Sequence, residues 1–274
     1  MGTWSWDPSL YAGAARYYPL GRTPYPREIA DRLQAELALD GRGRLLDVGC
    51  GPGSLTLLLA PLFAEAIGVD ADADMLAVAA RLAHRAGLTT TSWRHLRGEE
   101  LPADLPEIRV ATFAQSFHWM DRPRVAAAVR GLLGADGALV HVSATTHEGV
   151  PTPAALPHPQ PPRAALQQLV RRHLGEQRRA GQGVLAASTP GGEDAIYRAA
   201  GFTGPHRIAI EGRVLDRSAD EVAASVYSLS SAAPHLFGHR FETFDAEVRQ
   251  LLHRTSPTGR FSEQMGPTTL HIWR

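Results

Sequence analysis

The stretch Leu45-Leu46-Asp47-Val48-Gly49-Cys50-Gly51-Pro52-Gly53-Ser54 constrains this chain more than any other. A short apolar run ends in an acid, three glycines follow at alternate positions, and an apolar segment continues from Leu55 to Phe63. That order predicts a buried strand, a tight turn and a helix start. Glycine is needed where the backbone turns sharply and where a ligand must approach without a Cβ in the way. The helix start adds unpaired N–H groups and the positive end of a dipole. The stretch is therefore read as the binding site of a small ligand.

Departures from the dinucleotide fingerprint narrow that ligand. The pattern G-x-G-x-x-G asks for glycine where this chain has Ser54. Asp47, at the end of the strand, would repel a pyrophosphate. The 274 residues contain no lysine, which excludes a P-loop. An acid beside a glycine turn suits a ligand that lacks phosphates and carries a cationic group. The motif D-x-G-x-G-x-G before a helix resembles motif I of the class I S-adenosylmethionine (SAM) methyltransferases, in their small-molecule, type 11-like group. A plain glycine-rich turn of an α/β protein is the competing reading.

A second run, Ala66-Ile67-Gly68-Val69-Asp70, predicts another buried strand ending in an acid. Asp70 lies 19 positions beyond Gly51 (70 − 51), near the spacing at which an acid meets a ribose hydroxyl pair. Asp72 and Asp74 remain available to cap the next helix. Together the two motifs imply SAM as cofactor and S-adenosylhomocysteine as product. The residues implied to bind it are Asp47, Gly49, Cys50, Gly51, Gly53, Asp70 and Ala71. The segment Arg97-Gly98-Glu99-Glu100-Leu101-Pro102 resembles the family's D-A-E-x-L-P, whose acid and backbone N–H read the adenine. Gly98 and Glu99 are carried over from it, although Arg97 stands where the acid would be and Gly98 where the alanine would be.

The fourth strand, 108–115, ends in Gln115-Ser116-Phe117-His118-Trp119-Met120-Asp121. Ligands of open α/β sheets sit beyond the carboxyl ends of the strands, so these side chains are expected around the transferred methyl group. The Q-x-F-H-W segment looks like one found in small-molecule methyltransferases. The [DN]-P-P-[YFW] segment of enzymes acting on adenine or glutamine is absent. Gln115 and Ser116 join the cofactor set, and Trp119 the substrate set. His118 is the general-base candidate, because only its ordinary pKa lies near neutrality; a histidine that merely orients the loop is the alternative.

Residues 1–26 hold Trp4, Trp6, Tyr11, Tyr17, Tyr18 and Tyr25 with Arg16 and Arg22, and are read as a lid. Tyr17, Tyr18 and Tyr25 are its candidate substrate contacts; a strap packed on the surface is the alternative. Residues 144–192, rich in proline and then in arginine and glycine, are read as a cap inserted on the active-site edge, with His147 as a candidate substrate contact. A solvated linker competes with that reading. His235 and His239 have i, i+4 spacing but no third ligand, so no metal site is expected.

The predicted architecture is α/β, a Rossmann-like class I methyltransferase fold. It has a seven-stranded, mostly parallel sheet in the order 3-2-1-4-5-7-6, with helices on both faces. Residues 1–26 form the lid and 27–143 the SAM-binding core. Residues 144–192 form the cap, and 193–274 complete the sheet through a helical crossover. The net charge is zero, so no basic footprint points to nucleic acid. No apolar run reaches about 18 residues, which argues against a membrane span. The single cysteine, Cys50, fits a reducing cytoplasm. The expected reaction moves a methyl group from SAM to an O, N or C nucleophile of a small molecule, such as a secondary metabolite. The partner is that acceptor, and monomer and homodimer both stay open. The alternatives are a SAM-binding protein of this fold with a non-methylating reaction, and an NAD-dependent oxidoreductase, which Asp47 and Ser54 disfavour.

Overall fold

The computed structural model describes residues 7–177, 179–180, 183–184 and 191–274. Trp4 and Trp6 of the expected lid, and part of the expected cap, lie outside them. The sheet is built from β1 (Arg44–Val48), β2 (Glu65–Asp70), β3 (Thr91–His95), β4 (Ile108–Ala114) and β5 (Leu133–Ser143). After β5 come β6 (His206–Ile210), β7 (Val214–Ser218), β8 (Arg260–Gln264) and β9 (Thr268–Trp273). Seven of these strands lie in the order 3-2-1-4-5-9-6. The first five pair in parallel, and β9 runs antiparallel to both β5 and β6. This is the expected sheet with its last two strands in their expected places. Between β6 and the closing strand β9, β7 and β8 intervene as a separate antiparallel pair.

Side-chain alternation explains why the sheet is covered on both faces. Leu45 and Leu46 are both fully buried, yet they enter different apolar clusters because successive strand residues point to opposite faces. On Leu45's face pack α2 (Glu28–Glu36), through Ile29 and Leu33, and α3 (Ser54–Leu59), through Leu55 and Leu59. On Leu46's face pack α5 (Arg122–Leu132), through Val125 and Val129, and α7 (Glu193–Ala199), through Tyr197. Burying each such leucine contributes about 1.5–3 kcal/mol. The helix α4 (Ala73–Arg85) starts where Asp72 accepts hydrogen bonds from the N–H groups of Asp74 and Met75. That is the cap the sequence offered, and it leaves Asp70 for other work.

A second lobe completes the molecule. The helices α6 (Arg163–Leu174), α8 (Ala219–Tyr227) and α9 (Phe241–Thr255) bury Leu166, Val226, Phe244 and Leu252 around Phe261 of β8. The crossover therefore does more than return the chain to the sheet: it packs with the helix inserted after β5. The lid's short helix α1 (Tyr18–Gly21) lies so close to α8 that a Cβ at Gly21 would come within 2.3 Å of the Ala224 carbonyl oxygen.

A buried ionic cluster holds this lobe to the lid. Arg163 donates to both oxygens of Glu263, and Arg217 donates to Glu263 as well. The Arg217 and Glu263 side chains are 3% and 5% exposed. Arg217 also donates to the carbonyls of Gly21, His147 and Glu221. Burial alone would raise Glu263's pKa; the hydrogen bonds and charge of Arg163, the Gly149 N–H and the charge of Arg217 outweigh it and hold the carboxyl below its ordinary value.

Candidate active site

A cavity of about 990 Å³, its mouth included, opens at the carboxyl ends of β1, β2 and β4 beneath the lid. The glycine turn forms its floor. Gly49 N–H and Cys50 N–H donate to the Val69 carbonyl, which ties the turn to β2. Gly51 has φ +55°, and a Cβ there would meet nothing within 4 Å, so this glycine borders open cavity space. Gly53 has a different reason to be glycine. Its φ is +77° and a Cβ would strike the Trp93 ring at 2.6 Å, so it lets α3 start against β3.

Two acids stand at this floor. Asp47 is buried and accepts from Thr56 Oγ1 at 2.6 Å and Thr112 Oγ1 at 2.8 Å. Burial raises its pKa, and those hydroxyls only partly offset the rise. Asp70 accepts from Gly51 N–H at 2.7 Å with one oxygen and from Asp72 N–H at 2.8 Å with the other. Burial pushes it up to about 6 despite the two N–H groups. Neither acid is ion-paired with a described residue. Each keeps spare acceptor capacity, aimed by the bonds already made.

The remaining walls bring distant segments together. Ser116 donates to the Val48 carbonyl at 2.6 Å and packs against Gly49. Gln115 holds φ +61°, a left-handed conformation that costs a non-glycine residue about 1–3 kcal/mol and is concentrated at functional sites. Glu99 is buried and accepts from Asp121 N–H at 2.7 Å. Arg97, which replaces the family's acid, pairs with Glu100 at 3.1 Å. Tyr11, Tyr18, Arg22 and Tyr25 line the cavity from the lid, and burial raises the Tyr11 and Tyr25 hydroxyl pKa values. The Cys50 thiol is driven well above its ordinary value by burial and by the charges of Asp70 and Asp47, so it stays protonated.

Of the residues singled out in the sequence, the cavity gathers Asp47, Gly49, Cys50, Gly51, Asp70, Ala71, Gly98, Glu99, Gln115 and Ser116, with Tyr18, Tyr25 and Trp119. Four others do not line it. Gly53 supports the turn from behind. Tyr17 packs on Tyr227, ring centroids 5.1 Å apart, because adjacent residues of a helical segment face different ways. His147 borders a second cavity. His118 rests on the Trp119 ring at 4.7 Å, and burial together with Arg122 lowers its pKa to about 4. The imidazole is neutral and does not border the cavity.

Arg22, Met75, Met120 and Thr146 line the cavity without having been assigned to it. Arg22 stands with Arg16 in the lid read from the sequence, where nothing separates the one that lines the cavity. Thr146 could not be read from the sequence, because it is placed by Thr23 N–H donating to its carbonyl at 2.7 Å.

Residues 45–137 match the methyltransferase-domain family. Residues 45–137 form a methyltransferase domain, set in the class I methyltransferase fold. A probable S-adenosylmethionine-dependent methyltransferase of Saccharomyces cerevisiae is 28% identical over 142 residues, covering 51% of this chain and 48% of that protein. An uncharacterized methyltransferase of Mycobacterium tuberculosis is 34% identical over 134 residues, covering 48% and 51%. The chain thus spans about half the length of the curated relatives it matches. Among solved structures, the YcgJ protein of Bacillus subtilis superposes with TM-score 0.52 at 18% identity, over 90% of this chain and 98% of that one. The [4+2]-cyclase SpnF superposes with TM-score 0.51 at 18% identity, over 100% and 98%. These last likenesses show the methyltransferase fold alone.

Proposed function

We propose that this methyltransferase domain binds SAM in the cavity beneath the lid and transfers its methyl group to a small-molecule nucleophile. The observation that carries the reading is the pair Asp47 and Asp70: two carboxylates in one cavity, neither ion-paired with a cation among the described residues. Such a floor favours a ligand with cationic groups and vicinal hydroxyls and disfavours a pyrophosphate. Asp70 would take the ribose hydroxyls, Asp47 would face the cationic part, and Arg22 supplies a cation for the amino-acid carboxylate. Gly98 and Glu99 lie where the base would be held. Bound there, SAM supplies a methyl group already activated on a sulfonium. The chain's own contribution is to hold donor and acceptor together and to keep water away, and proximity alone is worth several kcal/mol. Tyr18, Tyr25, Trp119 and Thr146 form the wall from which the acceptor approaches. Zero net charge offers no electrostatic pull toward nucleic acid, which supports a small acceptor. The lone cysteine supports a reducing, cytoplasmic setting.

Titration calorimetry with SAM tests the reading at Asp70. Hydrogen bonds to a charged group are worth about 1.5–3 kcal/mol, so Asp70→Ala is expected to raise Kd about tenfold or more. The ligand favours the ionised carboxylate, whose pKa in the free protein is about 6. Affinity of the wild type should therefore be level above pH 6 and decline as pH falls through that value. The limb due to Asp70 disappears in Asp70→Ala. Equal affinity of variant and wild type would place the nucleoside elsewhere.

A further inference from the structure

A second cavity, about 980 Å³ with its mouth, lies between α6 and α8. Leu166, Val170 and Leu174 of α6 form one apolar wall, and Val226 and Leu229 another. It adjoins the first cavity. The consecutive residues Thr146 and His147 border the first and the second respectively. Arg22 lines the first and donates to the Ser228 hydroxyl and carbonyl, close enough for its charge to act on His147. Arg217 donates to the carbonyls of both His147 and Gly21, so His147 is tied to the lid.

The second cavity has little net charge to offer a ligand. Its ionisable walls are Arg163 and Arg171 against Glu148 and Glu176. Arg163 is already engaged by Glu263 and by the Ser225 hydroxyl. Burial lowers the His147 pKa, and neighbouring Arg22 and Arg163 lower it further against the pull of Glu148, so the imidazole is neutral near pH 7. Its Nε2 lies 3.5 Å from Glu148 Oε1. That contact favours the proton on Nε2 and leaves Nδ1 as an acceptor. The walls thus combine an apolar slot with a neutral imidazole at the residue next to Thr146, which borders the first cavity.

We propose that this cavity holds the methyl acceptor, an uncharged and largely apolar molecule whose hydroxyl donates a hydrogen bond to His147. The inference rests on the reading of the first cavity as the SAM site. It places the hydroxyl beside Thr146, which lines the first cavity, and it disfavours carboxylate acceptors, which would find Arg163 already neutralised.

Calorimetry with 2-naphthol and 2-naphthoate, two probes alike in shape and unlike in charge, tests it. The wild type should bind the naphthol saturably and the naphthoate at least tenfold more weakly. Val170→Trp fills the slot and should raise the naphthol Kd at least tenfold; Gln167→Trp, at an exposed lining position, does the same with less risk to folding. His147→Ala should weaken the naphthol several-fold and leave the naphthoate unaffected. SAM titrated into the same samples should bind all of them alike. Failure of the naphthol to bind, equal binding of the two probes, or naphthol binding that survives both tryptophan variants would overturn the proposal. Absence of SAM binding in the wild type would instead overturn the reading on which it rests.

Discussion

Glu263→Ala is expected to cost about 3–5 kcal/mol of stability, because it strands Arg163 and Arg217 in the interior without their counter-charge. Domains of this kind are stable by only about 5–15 kcal/mol, so the loss is a large share of the total. The penalty lies in the desolvated guanidinium groups left behind, more than in the attraction removed. Arg217 would keep its three carbonyl partners but no carboxylate. Asp220→Ala serves as the contrast: it removes an exposed pair with Arg249, and such pairs contribute about 0–1 kcal/mol. Urea unfolding monitored by circular dichroism should separate the two variants by at least about 2 kcal/mol. Because the folded state lowers the Glu263 pKa, its contribution is fully present above the ordinary carboxylate range and is lost as pH falls through the folded-state value. Equal midpoints for the two variants would show that the cluster does not hold the lobe.

Gly51→Val is expected to leave a folded protein that no longer holds SAM. The left-handed backbone at Gly51 costs a side chain about 1–2 kcal/mol, more for a β-branched one. No protein atom obstructs the new side chain, so the fold tolerates it. The valine occupies instead the open space beside the N–H that Asp70 accepts. Overpacking of about 1–3 kcal/mol corresponds to about five- to 150-fold weaker binding, and displacement of Asp70 adds to it. Calorimetry alongside a thermal melt checks both halves. A folded variant with wild-type affinity would remove the glycine turn from the site.

What could be read from the sequence is what is local in it. Asp47, Gly51 and Asp70 sit at the ends of short apolar runs, and the turn itself decides their geometry. The strand pair β7 and β8 escaped notice because Val-Leu-Asp-Arg-Ser and Arg-Phe-Ser-Glu-Gln are too polar to alternate cleanly. The cluster of Arg163, Arg217 and Glu263 joins residues up to 100 positions apart, a separation no periodicity reports. His118 lies off the cavity wall for a subtler reason. Strand four does end at the cavity, but a 3-10 turn at Phe117–Trp119 follows, and it gives the cavity to Trp119 and buries Phe117. One residue of rotation separates a wall of the site from its backing. Tyr17 and Tyr18 divide in the same way.

On the proposed function, the cavity beneath the lid selects a cationic nucleoside over a pyrophosphate-bearing one. Titration of the wild-type protein with SAM and NAD side by side, above pH 6, reads that selectivity. SAM should bind saturably at one site per chain, and NAD should show no heat of binding at the same concentrations. Binding of NAD without SAM would contradict this selectivity, since Asp47 would then tolerate the charge of a pyrophosphate beside it.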